Sequence, residues 1–391
     1  EFRRVPFRAY ASSSSSTDID GTDDTRVDVD VAIIDTGIDR QQPELNVVGG
    51  INCAQGSPMG AKCSGDGDDD HYHGTHVAGT VAALDNGNGV VGVAPGARLY
   101  AVKVLNSQGS GYTSWIVAGI DWVTARASTI EVANMSLGGT GYSAAEYNAI
   151  QGAVNAGVAF AVAAGNSDAD ASGFSPGGFD NVLSVSALAD FDGAPGGNGS
   201  STCRSDVDDT LADFSNWGSP VDIAAPGVCI LSTYPLEKGS YGTISGTSMA
   251  SPHVAGALAL LASSSNPANA TDVAALYATI RTTGNYSWTD DSGDGTKEPL
   301  LDVSTFSPTL VSTGGSNAAP VASFTQTCSS LTCTFTDTST DSDGTIASRS
   351  WNVAGTTYTS STFPHTFAAA GTYTVSLQVT RSEEHTSELQ S

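Results

Sequence analysis

Three short segments of this 391-residue chain carry side chains fit for acyl transfer, in the order carboxylate, imidazole, hydroxyl. Asp35 ends the apolar run Val29-Asp30-Val31-Ala32-Ile33-Ile34. His73 opens His73-Gly74-Thr75-His76-Val77-Ala78-Gly79-Thr80, and Ser248 sits in Gly246-Thr247-Ser248-Met249-Ala250-Ser251-Pro252-His253. A serine hydroxyl is a weak nucleophile until an imidazole takes its proton, and that imidazole needs a carboxylate to orient it. Each residue alone has a plainer reading. Asp35 would serve as a turn cap, His73 as part of a metal cluster with His71, His76 and nearby acids, and Ser248 as a helix N-cap. Those readings leave unexplained why all three types stand together, each at the edge of a helix or strand.

The surrounding patterns say how the three would be positioned. The run ending at Asp35 and Gly37 reads as a buried strand with the acid at its carboxyl edge, and the small residues after His73 read as a helix. Beyond Ser248, Val254, Ala257, Leu258 and Leu261 recur at helical spacing, which predicts a buried helix with its positive end at the hydroxyl. Val158-Ala159-Phe160-Ala161-Val162-Ala163-Ala164 reads as another buried strand, and it delivers Asn166, whose amide is a candidate oxyanion donor.

Asp35-Thr36-Gly37-Ile38-Asp39, His73-Gly74-Thr75-His76-Val77-Ala78-Gly79 and Gly246-Thr247-Ser248-Met249-Ala250-Ser251-Pro252 resemble the motif blocks of the subtilisin-like serine proteases. Ala101-Val102-Lys103-Val104-Leu105 and Asn134-Met135-Ser136-Leu137-Gly138-Gly139 are similar to the family's connecting blocks, so the likeness runs from Val27 to Val303. It implies an α/β, subtilisin-like three-layer fold with a mostly parallel central sheet flanked by helices. It also implies an Asp35–His73–Ser248 triad, with Asn166 and the Ser248 N–H holding the oxyanion.

The resemblance further implies a peptide held as an added strand between two edges, Gly109-Ser110-Gly111 and Ser136-Leu137-Gly138. Glycine in both lets backbone approach backbone. The first pocket would be walled by Ser136-Leu137-Gly138 and Ala163-Ala164-Gly165, with Phe174 or Ser175 near its floor. Small, uncharged walls predict a large apolar or aromatic residue before the scissile bond, and weigh against a dibasic processing protease.

A formal charge of -26, from 41 acidic and 15 basic residues, argues against nucleic acid and anionic membranes as partners. It fits a secreted protein that binds calcium, or one adapted to salt. Leu84, Asn86, Asn88 and Val90, in a loop interrupting the histidine helix, with Glu44 resemble the family's strong calcium site, although an aspartate is more usual where Glu44 stands. Pro176, Gly178 and Asp190 resemble a second site of proteinase K relatives. The run Asp66-Gly67-Asp68-Asp69-Asp70 reads as a solvated charge run or a further calcium site. Six cysteines allow fifteen connectivities; locality selects Cys53–Cys63, Cys203–Cys229 and Cys328–Cys333. Disulfides place the chain in an oxidising, extracellular compartment, and no apolar run of about 20 residues predicts a membrane span.

These readings divide the chain into an N-terminal segment (1–26), a peptidase domain (27–306), a linker (307–319), a second domain (320–380) and a tail (381–391). The second domain alternates apolar and polar residues in Val321–Phe324, Cys333–Asp337 and Gly371–Val379, as half-buried strands do. Asp337 to Ile346, Trp351 and Gly371-Thr372-Tyr373-Thr374-Val375 resemble a PKD domain, an immunoglobulin-like β-sandwich, with Asn352-Val353-Ala354-Gly355 replacing the usual Phe-Gly-Asp-Gly. The tail resembles the in-frame translation of a sequencing-library adapter and is expected to lie outside the fold. The function expected is that of a monomeric, calcium-stabilised secreted serine endopeptidase acting on proteins and peptides. The alternative is a catalytically silent protein presenting the PKD-like domain to polysaccharide or fibrous protein.

Overall fold

A computed structural model describes residues 19, 21–313, 321–340, 346–381 and 386–390. The chain divides into two units, Glu1–Thr313 and Gly314–Ser391.

In the first unit, Asp30–Asp35 is buried at every residue, as a strand covered by helices on both faces must be. The sheet runs, in space, Thr210–Leu211, Leu183–Ala189, Ala159–Ala163, Val132–Met135, Asp30–Asp35, Arg98–Lys103, Val47–Asn52, with Ile223–Pro226 also paired to Leu183–Ala189. Apart from the antiparallel Thr210–Leu211, all of these pairs are parallel. From Asp30–Asp35 the chain fills one side of the sheet and then crosses to the other. The crevice at such a switch point, outside the carboxyl ends of the strands, is where open α/β sheets bind ligands. Asp35 ends the strand there.

Among the described residues, five α-helices accompany the sheet: α1 (His73–Ala82), α2 (Thr113–Thr124), α3 (Ala144–Asn155), α4 (Thr247–Ser264) and α5 (Ala270–Thr283). Helix α4 packs on Val132–Met135, Ala159–Ala163, Leu183–Ala189 and α1 and is buried over most of its circumference, matching its nearly uniform apolar sequence. The loop after α1 does not interrupt a helix, contrary to expectation; the helix ends at Ala82. The chain returns so that the N–H groups of Val93, Ala94, Gly96 and Gly92 donate to the carbonyls of Thr80, Val81, Ala82 and Ala83. The carbonyls that a helix end leaves open are thus closed by backbone, and no further turn is required.

The expected linker begins too early. Leu310–Ser312 pairs antiparallel with Thr25–Val27, and Thr313 Oγ1 donates to the Asp23 carbonyl at 2.7 Å. Val27 is buried and Leu310 packs on the core, so burial of alternate side chains holds these ends in place.

The second unit has a three-stranded sheet (Phe324–Ser329, Thr332–Asp337, Thr362–Thr366) and a four-stranded sheet (Thr356–Tyr358, Ile346–Val353, Val375–Arg381, Thr386–Gln390). They enclose Trp351, Phe335, Phe363, Leu377 and Val379, the inward half of the alternation. Asn352-Val353-Ala354-Gly355 lies at a hairpin turn with Ala354 and Gly355 at positive φ. Of the expected tail, Thr386–Gln390 pairs with Val375–Arg381. Residues 382–385 and 391 lie outside the described residues, as do 341–345 of the Asp-rich segment. All three disulfides join the cysteines that locality selected.

Candidate active site

The acid and the imidazole meet where the sheet changes direction. His73 Nδ1 lies 2.8 Å from Asp35 Oδ1 and 3.0 Å from Oδ2, and Oδ1 also accepts the Thr36 N–H at 2.7 Å. An Nδ1–H committed to the carboxylate leaves Nε2 as the acceptor. Asp35 is fully buried, whereas the His73 side chain keeps 21% exposure. Burial works against the imidazolium, but the charge and hydrogen bond of Asp35, with Asp69 behind, outweigh it and raise the His73 pKa above its ordinary value.

Asp69 fixes this junction. Its carboxylate accepts from Thr36 Oγ1 at 2.9 Å, from Thr75 Oγ1 at 2.6 Å and from the N–H of Thr75 at 3.1 Å. Thr36 Oγ1 in turn accepts the Gly74 N–H at 2.9 Å. A Cβ on Gly74 would stand 2.1 Å from the Gly37 carbonyl oxygen, so only glycine lets α1 start this close to the strand end. Of the acidic run, Asp66, Asp68 and Asp70 are exposed as a solvated stretch is, and among the described residues the run forms no cluster of convergent ligand atoms; Asp69 is the exception. Asp69 is buried in this network, and Asp70 pairs with the buried Lys103 at 2.5 Å. The histidine cluster also dissolves, because His76 turns away to the Ile230 carbonyl, 2.9 Å from its Nε2.

Ser248 lies in the first turn of α4. Its hydroxyl donates to the Ser136 carbonyl at 3.2 Å, while Ser136 Oγ donates to the Ser248 carbonyl at 2.7 Å. The nucleophile candidate is thus bonded to one substrate edge rather than to His73; without substrate, catalytic hydrogen bonds are often unmade or loose. Asn166 Oδ1 accepts from Thr247 N at 2.8 Å and from Thr247 Oγ1 at 3.0 Å. With its oxygen committed there, the amide presents Nδ2 as its free donor end. The Gly165 N–H donates to Thr247 Oγ1 at 3.2 Å, and Asn216 holds the rest of the turn through the Ala164 carbonyl and the Ser167 N–H, each at 2.9 Å.

Leu137, Gly138, Ala163, Ala164, Gly165 and Ser248 help line a cavity of about 280 Å³, with Phe174 and Ser175 also in its wall. Ser136 contributes its backbone to this edge. Of the other edge, Gly111 lines the neighbouring cavity, where a Cβ would meet the Val104 carbonyl oxygen at 2.4 Å. Gly109 and Ser110 form a turn closed by Asn106.

Of the expected calcium ligands, Glu44 is buried with Oε2 unpartnered. Burial raises its pKa against hydrogen bonds from Asn86 and Tyr241. Asn86 also closes a local turn with Asn88, and the Leu84 N–H donates to the Glu44 carbonyl; Val90 is buried beyond them. Asp190 stands with Asp192 and Asp208 within sharing distance of one cation, whereas the Pro176 carbonyl closes a turn on Phe179 and the Gly178 N–H donates to Phe174.

Comparison with known proteins decides the lineage, because the subtilase family matches residues 27–298, the span that carries every element of the site. This chain belongs to the subtilase family. Subtilases are serine endopeptidases, and here the subtilase unit is followed by a PKD domain over residues 317–391. Subtilisin DY of Bacillus licheniformis is 44% identical over 239 residues, covering 60% of this chain and 77% of that protein. Subtilisin E of Bacillus subtilis is 46% identical over 243 residues, but the match spans only 56% of its length. A crystal structure of a cold adapted subtilisin-like serine proteinase aligns at a TM-score of 0.59 with 34% identity, over 75% of this chain and 92% of that one. In the subtilase unit, sequence reasoning missed Thr36, Asp69, Thr247 and Asn216 as positioning residues. Thr36 and Thr247 stood inside the quoted motifs, adjacent to Asp35 and Ser248. Asp69 and Asn216 carried no local signal.

Proposed function

We propose that the subtilase unit is a secreted endopeptidase that cleaves proteins through Asp35, His73 and Ser248. The observation that carries this reading is the His73–Asp35 bond at the sheet's switch point, with Ser248 at the head of α4 bonded to the Ser136 carbonyl just past the neighbouring strand. His73 Nε2 takes the Ser248 hydroxyl proton as Oγ attacks the peptide carbonyl. The Asn166 amide and the Ser248 N–H receive the oxyanion. His73 then gives the proton to the leaving amine, and water releases the acyl group by the same path in reverse.

Small, uncharged walls in the primary pocket favour a large apolar or aromatic residue before the scissile bond. Three disulfides support an extracellular setting, and among the described residues no helix is long and apolar enough to cross a membrane. Glu44, with its orphaned Oε2 beside Asn86, suits a calcium ion held also by the carbonyls of Leu84, Asn88 and Val90. The PKD domain would bring the peptidase to polysaccharide or fibrous protein. Ser248→Ala should fold normally, lose casein hydrolysis by orders of magnitude and resist a fluorophosphonate probe that labels the parent chain; full casein hydrolysis by that variant overturns the reading.

A further inference from the structure

Beside the primary pocket lies a second cavity, of about 240 Å³, sharing the Leu137–Thr140 wall and Ser175 with it. Gly111, Thr113, Ile116 and Leu137 form part of its lining, Tyr142 adds a ring that is 67% exposed, and Glu146 contributes a carboxyl group. A peptide lying between the Gly109–Gly111 and Ser136–Gly138 edges, with one side chain in the primary pocket, leads its upstream residues past this cavity.

Glu146 is out of place for a structural acid. Ser143-Ala144-Ala145-Glu146 has the spacing of a capping box, in which the glutamate reaches back to the N–H of the capping serine. Half of that box forms, since Ser143 Oγ accepts the Glu146 N–H. The other half is pre-empted, because the Ser143 N–H donates to Ser175 Oγ at 2.9 Å. The carboxyl group is left with no capping duty. Glu146 is only 4% exposed, Oε1 is buried without a partner, and no described basic side chain pairs with it. Burial accordingly pushes its pKa up to about 7. An acid kept in a pocket wall at this cost, with an open acceptor and an aromatic ring alongside, matches a ligand that brings both a donor and a positive charge.

We propose that this second pocket receives a lysine or arginine side chain of the substrate, upstream of the residue in the primary pocket, with Glu146 as its counter-charge. The inference rests on the peptidase reading above and adds a specificity that the uncharged primary pocket does not suggest. Binding ionises Glu146 by supplying the missing partner, and the cation's stem lies along Ile116 and Leu137.

The test uses fluorogenic peptides that share one aromatic residue before the scissile bond and carry lysine, arginine, norleucine or phenylalanine at each of the three positions upstream of it. At one position lysine should exceed norleucine in kcat/KM by roughly 10- to 100-fold, the range of a hydrogen-bonded charge. That ratio should shrink in E146Q and fall to one or below in E146L. Active-site titration by the fluorophosphonate corrects for any loss of folded protein, and if the leucine variant fails to fold, E146Q reads the same ratio. Norleucine or phenylalanine matching lysine at every position, or a ratio unaltered in E146Q, overturns the inference while leaving the peptidase reading intact. If no peptide is cleaved, it is the peptidase reading that fails. The lysine-to-norleucine ratio of Kd values for the same peptides on Ser248→Ala then decides the pocket's preference, equal affinities overturning it.

Discussion

Thr247→Ala isolates the part of the site that holds Asn166, the proposed oxyanion donor, without touching substrate. Thr247 is fully buried. Its hydroxyl donates to Asn166 Oδ1 at 3.0 Å and accepts the Gly165 N–H at 3.2 Å, while its own N–H makes the remaining bond to Asn166 at 2.8 Å. Alanine deletes the two hydroxyl bonds and leaves the amide pivoting on one backbone donor. A neutral hydrogen bond is worth about 0.5 to 1.5 kcal/mol net. If one such amount of donor positioning is lost at the transition state, the rate falls about 2- to 13-fold. Because the oxyanion exists only after attack, the loss should appear in kcat with KM unchanged. Thr247→Ser, which keeps the hydroxyl, should retain most of the rate. Steady-state kinetics on one peptide for the three proteins make the test. A raised KM at constant kcat, or a serine variant as impaired as the alanine one, refutes the assignment of Thr247 to Asn166.

Further outcomes are expected for pH and for calcium. Since Asp35 and Asp69 raise the His73 pKa above its ordinary value against burial, and His73 must be neutral to act as the proposed base, kcat/KM should rise with pH with a midpoint above about 6.5. Asp35→Asn should lower that midpoint along with the rate, and a parent midpoint near 5 counts against the bond. The same raised pKa gives a stability contribution that is complete below the unfolded-state value and is lost as pH rises through the folded-state value. Calcium should raise the melting temperature; at about 100-fold excess over Kd the gain is about 2.7 kcal/mol, several degrees for a unit of this size. Glu44→Gln should abolish the difference between calcium and chelator, and a parent protein indifferent to chelation by calorimetry removes the Glu44 site.

The elements that carry the candidate residues were legible where chemistry and pattern coincided. Asp35, His73 and Ser248 each sit where an apolar run meets a turn or a helix start, so their edges were visible without any partner. Failures came where a residue's role depends on something distant in the chain. Asp69 looked like the three other aspartates of an acid-rich run, and only the Thr36 and Thr75 hydroxyls that surround it distinguish it. His76 lies at metal-ligand spacing from His73, but its acceptor is a carbonyl on another strand. Helix α1 was expected to resume because the returning backbone that closes its last carbonyls has no side-chain signature. Leu310–Ser312 was assigned to a polar linker because a three-residue strand is too short for alternation to register.

That short strand has a consequence for how the unit is made. Thr25–Val27 is among the first parts of the unit to be synthesised, and its partner among the last, with Asp23 and Thr313 separated by 290 residues. Such a pairing contributes the highest contact order available to the unit, and closing so long a loop is compensated only after the intervening sheet is in place. A chain still being synthesised cannot form it, so the ladder should be among the last hydrogen bonds to gain protection against amide exchange during refolding. Once made, it pairs two segments from opposite ends of the subtilase unit that, unpaired, would be open to proteolysis.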